Sequence, residues 1–196
     1  MSIDHERKVD PIQEMSNLIH QYLVELNIWG YKETFCSQET KSLIYDSQWC
    51  RVNFTWGGWD AAGGNSINIY YGRLHAPNES AKMVWNGEEC HAWHRIEQVL
   101  HFLDGRSPVD SAKLNYSVPL IKKYYEESFR KEYHRRQPEW LVKMHAEIWR
   151  YYGKRLFEVF DLRQPVIWDQ YRDFLKHFYD NKGRPSFIKP PMDKVC

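Results

Sequence analysis

Ile12, Met15, Ile19, Tyr22 or Leu23, and Leu26 recur at the three- and four-residue spacing of a single helix face. Asp10 stands before them as an N-cap, Pro11 suits the first turn, and Gln13 completes a capping-box pattern. Asn27 and Gly30 supply the stop. The pattern predicts a helix from Pro11 to about Leu26.

Between Ser42 and Trp85 the period changes to two. Cys50, Val52, Phe54 and Trp56 alternate with Arg51, Asn53 and Thr55, as in a half-buried strand. Leu43-Ile44-Tyr45 precedes it across the turn-forming triplet Asp46-Ser47-Gln48. Ile67, Ile69 and Tyr71 mark a third strand, and Met83-Val84-Trp85 a short fourth. The loop Gly57–Asn65 joins the second to the third. Consecutive strands on short connections favour an antiparallel meander.

From Glu88 onward helical spacing is expected. Trp93, Ile96, Leu100 and Leu103 make one face, closed by Asp104-Gly105. Ser107-Pro108 and Ser117-Val118-Pro119 open two more helices. Leu141, Met144, Ile148 and Tyr152 define another, running on through Gly153 to Phe160. Pro165 opens the last, with Trp168, Tyr171, Phe174 or Leu175, and Phe178 on its face. Pro185, Pro190 and Pro191 make the tail 184–196 extended. The chain therefore reads as one α+β domain over residues 1–196. It has an N-terminal helix, an antiparallel meander of three to four strands, and a mainly helical C-terminal half packed on the sheet.

Charge narrows the partners. Twenty-seven basic against 26 acidic residues leave a net charge of +1, too little for general attraction to nucleic acid or anionic lipid. No apolar run approaches the ~20 residues that span a bilayer. The opening Met1-Ser2-Ile3-Asp4-His5-Glu6 has no secretory pattern. Cys36, Cys50, Cys90 and Cys196 are scattered without a CxxC pair, which suits reduced thiols in a cytoplasmic protein. The aromatic share is high, at 16%, and Trp49, Trp56, Trp59, Trp85 and Trp93 crowd one stretch. Such a cluster is core or a ligand wall.

Four constellations carry candidate chemistry. On a helix, Cys90, His94, Glu97 and His101 line one stripe whose neighbours can share a metal or relay a proton; no second Glu-x-x-His accompanies Glu88 and His91, so no metal set is complete. The glycine-rich loop Gly57–Asn65 lacks the Lys and the following helix of a phosphate cradle, although Trp59 and Asp60 at its tip suit a ligand. Tyr71, Arg73 and His75 alternate onto one sheet face, an aromatic and two cations able to hold an anion. Arg130-Lys131 and His134-Arg135-Arg136 form a basic helix end diluted by Glu126, Glu127 and Glu132. A Gly-x-Ser-x-Gly nucleophile elbow is absent.

The first reading is a non-catalytic interaction or binding protein, with another protein as a possible partner. The second is an enzyme, or a binder of a small ligand or metal, using the Cys90–His101 helix and the aromatic strand ends. The third is a single-stranded nucleic-acid binder with Trp and Tyr as stacking platforms. The expected ligand site lies where the first turn of the Cys90–His101 helix meets the strand ends, formed by Trp56, Trp59, Tyr71, Arg73, His91 and His94. No cofactor is indicated.

Overall fold

The computed structural model describes residues 10–57, 67–76, 82–85, 88–91, 93–103 and 138–180. Helix α1 spans Pro11–Tyr22. Asp10 caps it, its Oδ1 accepting from the amides of Ile12 and Gln13 at 2.9 and 3.4 Å. The reciprocal half of the capping box is not made, because the Gln13 amide donates to Asn17 Oδ1 instead. The helix also ends earlier than expected, and a separate turn, α2, covers Glu25–Ile28. Gly30 follows at φ +77°, a left-handed position suited to glycine at a helix end.

A five-stranded antiparallel sheet comes next: β1 (Lys32–Ser37), β2 (Ser42–Asp46), β3 (Cys50–Trp56), β4 (Ile67–Arg73) and, after an excursion, β7 (His94–Arg95). The spatial order is β1-β2-β3-β4-β7, a meander with β7 added against β4. The sequence pattern missed β1. Four of its six residues are exposed and polar types dominate, so it carries no alternation; it is an edge strand interrupted by a bulge between Glu33 and Phe35.

The expected helix beginning at Glu88 is corrected. Strands β5 (Lys82–Trp85) and β6 (Glu88–His91) form a separate two-stranded ribbon. Trp85 pairs with Glu88, so only Asn86 and Gly87 lie between the strands. Asn-Gly is the dipeptide that two-residue hairpins favour most, and here it outweighs the helical spacing. Helix α3 covers only Ile96–Leu103. Gln98 fixes its start by accepting the Arg95 amide on its side-chain oxygen at 2.9 Å, as the third helical residue does in a capping box. Trp93 precedes this helix.

The C-terminal helices are α4 (Pro138–Tyr152), α5 (Arg155–Glu158) and α6 (Pro165–Asp180). The single helix expected to run through Gly153 is broken there, because Gly153 takes φ +60° and donates its amide to Trp149 O. The helices expected after Ser107 and Ser117, the basic cluster 130–136 and the tail 184–196 lie outside the described residues.

One face of β2–β4 and the inner faces of α1, α3, α4 and α6 enclose a common core. Ile19, Val52, Phe54, Ile69, Leu100, Met144 and Ile148 are buried in it, and Phe174 packs against it half-buried. Trp149 Nε1 donates to Tyr71 Oη at 2.7 Å, and that hydroxyl is 2.8 Å from His145 Nδ1. This buried chain ties α4 to β4. Glu25 pairs with Arg150 at 2.7 Å and ties α2 to α4. No helix among the described residues is long and apolar enough to cross a membrane.

Candidate functional site

Strand register decides which of the expected site residues can meet. Cys50 pairs with Arg73, Val52 with Tyr71, and Trp56 with Ile67. Trp56 therefore lies at the opposite end of the β3–β4 ladder from Arg73. Tyr71 is also the partner of His94 across β4 and β7. Tyr71, Arg73 and His94 do come together, but as core. His94 contacts the rings of Phe160, Trp168 and Tyr171, and the Arg73 guanidinium lies 4.8 Å over the Trp168 ring. Both side chains are almost fully buried, as are Tyr71 and Trp56. Burial pulls the Arg73 guanidinium down to about 10, against the opposing pull of Asp169 and Asp161. His75 sits in the turn after β4 and is exposed, so it does not share their face.

His91 lies on β6, and of its side chain, as of Trp59, the described residues give no account. With Cys90 on β6 and His94 on β7, the four-residue helical stripe ending at His101 does not exist. Among the described residues, no group of three or more His, Cys, Asp and Glu side chains could hold a metal ion.

A cavity of about 240 Å³ opens beside the start of β3, next to Arg73 rather than around it. Its first wall comes from the β2–β3 turn. Ser47 accepts the amides of Trp49 and Cys50 on its hydroxyl at 3.2 and 3.1 Å and donates the hydroxyl to Cys50 O at 3.1 Å. A serine bonding to its own backbone two and three residues on is a local turn device. It sets Trp49 at the cavity rim. The second wall comes from Trp29 and Tyr31, between α2 and β1. Both pack on Phe157 of α5, with ring centroids 5.1 and 5.4 Å away.

The third wall is the link between α5 and α6. Asp161 is buried, and its carboxylate accepts the Arg163 amide at 2.9 Å and the Arg163 side chain at 2.7–3.1 Å. The Arg163 side-chain bonds, more than anything else, hold the Asp161 carboxyl below the usual carboxylate range. Thus anchored, the Arg163 guanidinium lies 3.7 Å over the Trp49 ring, a cation–π contact. Lys154 and Glu158 complete this side.

At the floor, Cys50 Sγ and Tyr31 Oη are 2.6 Å apart, one donating to the other. Burial pushes the thiol up to about 12, despite the opposing hydrogen bonds of Tyr31 and Ser47. Burial likewise raises the Tyr31 hydroxyl well above its ordinary value. Both stay protonated near neutrality, so the floor offers polar hydrogens and no ready nucleophile. The sequence held two signals for this place: the turn triplet before Trp49, and Gly153 with Pro165 bracketing Asp161 and Arg163. Neither says that residues more than a hundred positions apart will meet.

Comparison with known proteins finds no matching family model, no matching curated protein and no matching solved structure.

Proposed function

We propose that this chain is a non-catalytic binding protein for a small organic ligand, with the cavity between the β2–β3 turn and the α5–α6 link as its site. The observation that carries the reading is the Asp161–Arg163–Trp49 arrangement. A surface arginine is held by a buried carboxylate over a tryptophan ring at the mouth of an aromatic-walled cavity. Enclosure by apolar rings with a few convergent polar groups is how small-molecule sites are generally built. The volume lies below the ~300–1,000 Å³ of sites for drug-sized ligands, which favours a small metabolite. The protonated Cys50 thiol and the fully engaged Asp161 favour binding over chemistry. A cytoplasmic setting fits the free thiols of Cys36 and Cys50, and the near-zero net charge argues against nucleic acid as the ligand.

The test is a thermal-shift screen of the whole chain against a broad panel of small metabolites, repeated on Trp49→Ala and Arg163→Ala. The expected result is hits whose stabilisation of the parent is lost in both variants, since ligand stabilises only the state that binds it. An absence of hits, or hits that persist undiminished in both variants, would reject this site.

A further inference from the structure

We infer that the ligand is a zwitterion, an ammonium and a carboxylate carried on a compact apolar or aromatic body; this rests on the binding reading above and concerns the same cavity. The argument begins with the charges. Four ionised side chains line the cavity: Lys154, Glu158, Asp161 and Arg163. Two acids and two bases leave the lining without net charge. A site for a simple anion or a simple cation would show an excess of the opposite sign.

Only one pair forms among the four. Asp161 and Arg163 neutralise each other through their hydrogen bonds. Those bonds use Nε and Nη2 of Arg163, and among the described residues its Nη1 donors have no hydrogen-bond acceptor. Lys154 and Glu158 stand four apart, a spacing at which a helix can form an ion pair, yet no such pair is made. Among the described residues the Lys154 ammonium and the Glu158 carboxylate have no charged partner. The lining thus offers two cationic groups, Lys154 and the outer edge of Arg163, and an acceptor, Glu158. A ligand carboxylate answers the first and a ligand ammonium the second.

The aromatic rings of the same lining suit the ligand's apolar part. Trp29 and Phe157 present ring surface, and Trp49 is already covered on one side by Arg163. A body the size of one amino-acid side chain matches the 240 Å³ available, so a free amino acid with an aromatic or large aliphatic side chain is the simplest member of the class.

The test holds the body constant and varies the charge. L-Phenylalanine, 3-phenylpropionate and 2-phenylethylamine are titrated into the full chain by isothermal calorimetry. The expected result is that the amino acid binds roughly tenfold or more tighter than either singly charged analogue, about the worth of one added charge-assisted contact. In Glu158→Gln the advantage over the carboxylate alone collapses, and in Lys154→Gln the advantage over the amine shrinks. Equal or tighter binding of either singly charged analogue overturns the inference and leaves the binding reading standing. So does binding of none of the three when the metabolite screen has given cavity-dependent hits. If that screen gives no such hits, the binding reading itself has failed.

Discussion

At the scale of single residues, two buried groups have a state of charge that the fold imposes. His145 is enclosed between α4 and β4, and burial drives its imidazole down to about 3 from an ordinary 6.5. Unfolded, it takes up a proton near pH 6.5; folded, it resists until near pH 3. Its contribution to stability is therefore complete above 6.5. It is lost as the pH falls through that window, by about 1.4 kcal/mol for each pH unit. In His145→Gln, which keeps an acceptor for the Tyr71 hydroxyl, the plot of unfolding free energy against pH between 6 and 4 should be shallower by one proton's worth. Parallel curves for parent and variant would show that His145 is not held neutral. Cys50 is the second such group. With its thiol held protonated and buried, alkylation by iodoacetamide at pH 7.5 should modify the exposed Cys36 in the native protein and reach Cys50 only after unfolding. Peptide mass spectrometry reads both sites, and native labelling of Cys50 at the rate of Cys36 would contradict its burial.

At the scale of elements, the break between α4 and α5 places half of the cavity. Gly153 sits at φ +60°, and a Cβ there would meet nothing within 4 Å, so the cost of a side chain is conformational and not steric crowding by neighbours. Gly153→Ala should lower stability by about 1 kcal/mol, the left-handed penalty. It should also weaken ligand binding, because Lys154, Phe157 and Glu158 follow directly. Urea unfolding of the variant measures the first effect, and an unchanged midpoint would mean that the turn tolerates a side chain. The elements also show what the chain made legible. The α1 cap, the alternation of β3 and β4, and the faces of α4 and α6 could be read because each is a local period with one buried side. The expected helix at Glu88 gives way to a ribbon because Asn86-Gly87, a hairpin signal, outweighs the helical spacing of Cys90, His94 and His101. Edge strand β1 left no trace because a polar edge has no buried face to advertise. Of the expected site residues, strand register brings Tyr71, Arg73 and His94 together. They sit behind the cavity floor as packing, while Trp49, Asp161 and Arg163, which form the rim, could only be found once the turn and the helix link had been brought together in space.

At the scale of the whole molecule, the Trp149–Tyr71–His145 chain is one point where the C-terminal helices are fastened to the sheet. Trp149→Phe keeps most of the ring but leaves the buried Tyr71 hydroxyl one donor short, and should cost about 1–3 kcal/mol. Because helix and sheet share one core, the loss should appear as a single lowered thermal transition by circular dichroism and by fluorescence. Two separated transitions would show that the halves unfold independently. A second consequence concerns the cavity. Its walls come from residues 29–50 on one side and 154–164 on the other, with strands β3 to β7 and helices α3 and α4 between them in the chain. No local opening can present one wall without the other, so a bound ligand acts as a clasp between distant stretches of polypeptide. Hydrogen exchange would register it as simultaneous protection of amides in the β2–β3 turn and in the α5–α6 link, two regions that share no sequence neighbourhood and would slow together.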